Sequence, residues 1–236
     1  MNEREWREAA DIKPATFWLV VVLALAAVLR FWRLGHGLPY QVGIDEPQLM
    51  SRVLGMMRSG DLNPHFFDYP GLMLYLHLGL ACVRFLVGAV AQEFRSLADL
   101  DMADLLPWAR ALTAALGVAT VFLVHQVGMR WGARHALLAA GLMAVLPMHV
   151  RESHFALTDV PVTFFTVLTL LLSLAASERA TLRPFLLAGA AAGLAMGTKY
   201  TVAVAILLPL VAAWMTLTAR PSRLAWGAAR ASRRRG

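Results

Sequence analysis

A single cysteine, Cys82, stands in the whole chain, inside an apolar stretch. One thiol excludes an intrachain disulfide framework and a cysteine-based zinc finger. Charge is scarce too: 16% of the 236 residues are Asp, Glu, Lys or Arg, against roughly 25% in soluble domains. No internal repeat is visible, which counts against the repeat-built folds of many transporters. What the chain has instead is hydrocarbon, with 58% hydrophobic residues and a mean hydropathy of +0.58. The expected fold class is an all-α, polytopic membrane protein.

The formal net charge of +7 does not point to nucleic acid. The basic residues flank apolar runs, the pattern that sets membrane orientation. The one polybasic cluster, Arg230 to Arg235, suits an anchor on anionic lipid. Residues 1–13 carry charges of both signs, and the apolar run that follows ends in Arg30-Phe31-Trp32-Arg33. A cleavable signal peptide would have a basic start and a small-residue cleavage site outside the apolar run, so an uncleaved first span is expected.

Crossing about 30 Å of hydrocarbon takes roughly 20 apolar residues. Six runs qualify, near 15–33, 106–128, 136–151, 160–177, 184–199 and 200–218, predicting a bundle of about six transmembrane helices. A seventh run, 71–91, is long enough to cross, and charge decides against it. Held outside the bilayer, it leaves Arg4, Arg7, Lys13, Arg130, Arg134, Arg179, Arg183 and the arginine tail on one side, and ten of the fifteen acids on the other. That is the positive-inside arrangement. The expected organisation is a cytoplasmic N-terminus (1–14), a transmembrane module (15–218) with a large external loop (34–105), and a basic cytoplasmic tail (219–236). Two juxtamembrane helices, 51–59 and 71–91, are expected in that loop; His77 and Arg84 give the second a narrow polar stripe. Gly189, Gly193 and Gly197 form a small-residue face of the kind that packs helices in lipid.

Ionisable residues at span ends are functional candidates by default, and here they gather on the external side. Asp45 and Glu46 are adjacent in the first loop, within Gly43-Ile44-Asp45-Glu46-Pro47. The loop closes with His65-Phe66-Phe67-Asp68-Tyr69-Pro70; Arg110 opens the next span. Arg151, Glu152 and His154, then Asp159, occupy the second loop, and Lys199 sits between two apolar runs. Each also has a plainer role. Asp45 and Asp159 both precede helices, where Asp is a favoured N-cap, so for Asp45 capping and catalysis stand level. His154 and His65 suit solvated loops, and Arg151 suits lipid head groups.

The ordered set Asp45-Glu46, Phe67-Asp68-Tyr69-Pro70, Arg110, Ser153 to Pro161 and Gly197-Thr198-Lys199-Tyr200 resembles the N-terminal module of GT-C membrane glycosyltransferases. Within these, it resembles the bacterial protein O-mannosyltransferase and aminoarabinose transferase branch. The resemblance implies an enzyme of the bacterial inner (plasma) membrane working at the external face on a polyprenyl-phosphate-linked sugar. It implies Asp45 as base, Glu46 positioning the acceptor, and Asp159 supporting the site. Lys199 would face the donor phosphate, with Arg110 or Arg151 assisting, and Asp68, Tyr69 and His154 would complete the substrate-binding set. The aminoarabinose branch has a lysine where Tyr69 stands, which argues against that donor. Paired acids can hold Mg²⁺ or Mn²⁺, but the resemblance implies no metal and no cofactor.

Enzymes of that kind usually continue with more spans, so the chain is expected to be a truncated module or one completed by a separate partner. The expected function is inverting transfer to a hydroxyl of a protein, lipid or polysaccharide acceptor. The alternatives are a catalytically incomplete fragment or membrane scaffold, and a transporter or flippase. The expected partners are the donor, the acceptor and membrane lipid, with no nucleic acid.

Overall fold

The computed structural model describes residues 3–38 and 45–218, with side chains from residue 15 onward. Among these residues the fold is entirely helical, and the chain is a polytopic helical membrane protein. The helices are α1 (Glu3–Phe31), α2 (Glu46–Ser59), α3 (Leu72–Val90), α4 (Met102–Gly128), α5 (Ala133–Val145), α6 (Pro147–Glu152), α7 (Asp159–Arg179) and α8 (Leu182–Thr198). A 3₁₀ stretch, Tyr200–Ile206, then leads into α9 (207–218). By length and composition, Leu72–Val90, Met102–Trp131, Asp159–Arg179 and Tyr200–Thr218 are able to cross a membrane; Ala15–Phe31, Ala133–Val145 and Leu182–Thr198 are shorter apolar helices.

Several boundaries differ from the expected ones. The first helix begins at Glu3, well before residue 15. The expected loop helix 51–59 begins at Glu46, because Pro47 suits a first helical turn. Gly60 ends it in the left-handed region (φ 75°), returning its N–H to the Met56 carbonyl, a glycine's usual way to close a helix. The expected span 136–151 is two helices: α5 stops at Val145, Leu146 is extended (ψ 111°), and Pro147 starts α6. Proline has no N–H to continue the ladder. The expected span 200–218 opens with seven residues of 3₁₀ helix. The cluster Arg230–Arg235 and the positions Gly43 and Ile44 lie outside the described residues.

Two apolar clusters hold the fold. One joins Leu49, Met50, Val53 and Leu54 of α2 to Leu74 and Ala81 of α3, and to Leu105, Leu106 and Ala109 in the first turns of α4. The other joins Ala26 of α1, Val121 of α4, and Ala140 and Ala144 of α5. The helices of this second cluster meet through small side chains, which suits a bundle whose surrounding lipid is as apolar as its interior. The first is a cap over one end of that bundle.

Helix α3 belongs to the cap. Leu72 lies against Gly197 in the last turn of α8, while Arg84 reaches Asp104 in the first turn of α4 at 3.5 Å. These helix ends lie together, since α7 starts where Asp159 meets Lys199 beyond α8 and Glu46 links Arg110 of α4 to Ala156 just before α7. Leu72 and Arg84, twelve positions apart on the helix, are roughly 18 Å from each other, so α3 lies across that end. Its polar stripe faces inward, with His77 fully buried and Arg84 largely so.

The glycine face of α8 is packed only at its end. Gly197 lies against Leu72, whereas a Cβ added at Gly189 or Gly193 would meet nothing within 4 Å among the described residues. The buried face of α8 is Ala188, Ala191, Ala192, Ala195 and Thr198, a different stripe of the same helix. A closely approached glycine lies elsewhere, at Gly117 of α4. A Cβ there would stand 2.7 Å from Ser153 Oγ and 2.9 Å from Arg30 Cδ.

Candidate active site

Asp45 occupies the N-cap position of α2 but makes no capping bond with its side chain. Its backbone is helical (φ −96°, ψ −19°), whereas a capping residue usually has extended dihedrals. Of the two roles open for Asp45, the structure removes side-chain capping. The carboxylate instead accepts a hydrogen bond from the Tyr69 hydroxyl at 3.1 Å. Pro70 and Gly71 follow Tyr69 and start α3, so the cap places the phenol against the start of α2.

Lys199 interrupts α8 with an extended backbone (φ −152°, ψ 123°). Its Nζ lies 2.7 Å from Asp159 Oδ1, with the side chains 30% and 48% exposed. Asp159 is the first residue of α7, and Thr158 holds the N-cap position; a carboxylate is favoured there by the helix dipole. Tyr69 links this pair to Asp45 electrostatically. Burial pushes the Tyr69 hydroxyl above its ordinary 10, the Asp45 hydrogen bond and charge add to that, Lys199 opposes it, and Asp159 adds a smaller push. Asp45, Tyr69, Asp159 and Lys199 form one polar cluster at the capped end of the bundle.

A second ion pair, Glu46 with Arg110, joins α2 to α4. Glu46 is fully buried. Arg110 grips it at two points, Nε to Oε1 at 2.9 Å and Nη2 to Oε2 at 2.7 Å. The Ala156 amide donates to Oε1 at 2.6 Å, and Arg110 Nη1 donates to the carbonyls of Leu34 and His36 at 2.8 and 2.9 Å. Both residues were expected to touch substrate. In the structure their burial and mutual bonds make them a joint between α2, α4 and the loops before α2 and α7. Charges buried this way keep their form only when paired and hydrogen-bonded.

The remaining expected residues are scattered. Asp68 is exposed beside Tyr69. Arg151 is turned to Glu152, with Nε 2.9 Å from Oε1. His154 is bonded to the Val150 and Trp32 carbonyls, so it is not the free loop side chain it resembled. His65 pairs with Asp61 at 2.9 Å on the surface. A cavity of about 610 Å³ adjoins Asp159, with His149, Glu152 and Thr163 on its polar side and Met143, Leu146 and Val160 on its apolar side. Among the described residues no group of three or more His, Cys, Asp or Glu is placed to hold a metal ion.

One buried network was not read from the sequence. Arg30, in the last turn of α1, is completely buried. Its guanidinium donates to the Ala144 and Met143 carbonyls at 2.9 and 3.0 Å, and lies 3.0 Å from His149 Nδ1. The Met143 carbonyl is four residues before Pro147, which has no N–H to offer it. Arg30 therefore supplies the donor that the proline break removes. An arginine inside a span was the available signal.

With the geometry in hand, comparison with known proteins decides the family. A family model described as dolichyl-phosphate-mannose-protein mannosyltransferase matches residues 102–230, more than half of the 236-residue chain. The chain belongs to that family. It is therefore a membrane glycosyltransferase of the GT-C type. Arg110, Arg151, His154, Asp159 and Lys199 lie within the matched stretch; Asp45, Glu46, Asp68 and Tyr69 precede it. No curated protein and no solved structure matches the chain.

Proposed function

We propose that the chain moves a sugar from a polyprenyl-phosphate-linked donor to an acceptor hydroxyl at the external membrane face, inverting the anomeric carbon, with Asp45 as base. One observation carries this reading. Asp45 stands at the mouth of a helix without capping it, held by Tyr69 beside the Lys199–Asp159 pair. The family description names dolichyl-phosphate-mannose and a protein acceptor; a lipid or polysaccharide hydroxyl meets the same chemistry. Tyr69, in place of the aminoarabinose branch's lysine, separates the donor from that class.

The chemistry asks little of an acid, because a lipid phosphate leaves readily. An acceptor oxygen bonds C1 while its proton passes to an Asp45 oxygen. The C1–O bond to phosphate breaks on the opposite face, and its electron pair stays with the phosphate. Lys199 gives one of its three N–H donors to Asp159 and keeps a positive charge for the departing group. Glu46 and Arg110 touch no substrate and position Asp45 through the start of α2. The cavity beside Asp159 falls within the roughly 300–1,000 Å³ common for ligand pockets, and its apolar side suits an isoprenoid segment. The external assignment rests on charge: with α3 lying across the bundle end, ten of the fifteen acids share one side and Arg130, Arg134, Arg179 and Arg183 lie on the other.

The test is a transfer assay in membranes containing the chain, with labelled polyprenyl-phosphate sugar of known anomeric configuration. The reading expects label on a hydroxyl with the opposite configuration. Retained configuration would contradict direct displacement, and no label would contradict the transfer itself.

A further inference from the structure

Pro147 starts α6 where α5 has ended, and the third residue of that new helix is His149. The residue is 7% exposed. It touches Arg30 of α1 and forms part of the wall of the cavity of about 610 Å³ beside Asp159. Arg30 lies against one ring nitrogen, with Nη2 3.0 Å from Nδ1. A guanidinium only donates and stays charged, so Nδ1 accepts, the ring is neutral, and its single proton sits on Nε2. That atom is buried and has no hydrogen-bond partner among the described residues.

A buried N–H without an acceptor is destabilising, and native structures leave few of them. The other polar side chains of the cavity wall are all acceptors. Glu152 is a carboxylate gripped by Arg151. Asp159 is a carboxylate bonded to Lys199 through Oδ1. Thr163 gives its hydroxyl proton to the Asp159 carbonyl, which leaves only its lone pairs. Among the described residues lining the cavity, His149 therefore supplies the one polar side-chain proton that no protein atom takes.

Such a wall matches an uncharged group that both accepts and donates. Two carboxylates repel a phosphate, whereas a hydroxyl takes the Nε2 proton on its oxygen and offers its own to Glu152 or Asp159. A sugar ring carries several such hydroxyls. We propose that His149 is a specificity-determining residue: its Nε2–H donates to one hydroxyl of the donor sugar and so selects sugars that bear a hydroxyl there. The inference rests on the transfer reading only in taking this cavity as the donor's place; Asp45 has no part in it. A site built to bond a hydroxyl strongly rejects the analogue lacking it, because its own polar group is then left buried and unpaired.

Equilibrium binding to the purified full chain tests this without turnover. The probes are a polyprenyl-phosphate mannose, the sugar in the family description, and its four monodeoxy analogues, with no acceptor present. The wild type is expected to bind one analogue at least about tenfold more weakly than the parent. His149→Asn keeps an acceptor near the Nδ1 position for Arg30 and withdraws the donor from the Nε2 position, so it should bind that analogue and the parent equally. His149→Gln returns an N–H close to the Nε2 position and should regain part of the preference. A wild type that binds every analogue as tightly as the parent, or binds no probe, overturns the proposal. So does an Asn variant that keeps the preference, or a Gln variant that regains none of it, since a ring with a structural role alone would change all the affinities alike. Discrimination by a wild type that transfers no label would defeat the transfer reading and leave this assignment standing.

Discussion

Tyr69 donates its hydroxyl to the Asp45 carboxylate at 3.1 Å, joining the residue before Pro70 to the mouth of α2. The bond selects one orientation of a carboxylate that caps nothing. It also survives changes of pH: burial first, and then Asp45 itself, hold the phenol above its ordinary 10, so it remains a donor throughout the neutral range.

Tyr69→Phe keeps the ring and removes the bond. A hydrogen bond to a charged group contributes roughly 1.5–3 kcal/mol, so kcat for transfer should fall about 10- to 100-fold, with thermal stability in detergent nearly unchanged. Unchanged kcat would show that Tyr69 does not position Asp45.

Much of this cluster was legible in the sequence, and the reason is physical. Asp45, Asp159 and Lys199 are charged residues at the ends of apolar runs, where each is costly and therefore visible. Partners were not legible. Nothing local in the sequence says that Glu46 will be buried against Arg110, 64 residues away, while its neighbour Asp45 stays accessible. The helical membrane class was readable from hydropathy, but the break at Pro147 was hidden inside an otherwise continuous apolar run. The glycine face of α8 held only at Gly197, because spacing identifies a stripe without saying how much of it the chain covers; the alanine stripe is the buried one.

Glu46→Ala leaves the Arg110 guanidinium buried without its carboxylate. Breaking a buried pair from one side costs roughly 3–5 kcal/mol, so a large fall in Tm in detergent is expected. The double variant Glu46→Ala/Arg110→Ala should regain part of it, since no uncompensated charge remains. A single variant as stable as the wild type would contradict the joint.

The Lys199–Asp159 pair should behave differently, because both side chains are partly exposed. Exposed pairs contribute about 0–1 kcal/mol. Lys199→Met is therefore expected to leave Tm within a few degrees while lowering transfer at least about tenfold. A large loss of Tm with proportionate loss of activity would make the pair a structural element only.

Gly117→Ala places a methyl group 2.7 Å from Ser153 Oγ and 2.9 Å from Arg30 Cδ. Overpacking of this kind costs roughly 1–3 kcal/mol, and the expected result is a lower Tm that Ser153→Ala in the same chain partly restores. No restoration would mean that the strain falls on Arg30 alone.

The most direct measurement compares wild type and Asp45→Asn in one preparation, following labelled sugar transfer from a polyprenyl-phosphate donor and donor binding side by side. Asparagine keeps the shape of the side chain and removes its capacity to take a proton at neutral pH. The predicted result is donor retained by both proteins and label transferred only by the wild type. Equal transfer by both would contradict Asp45 as the base.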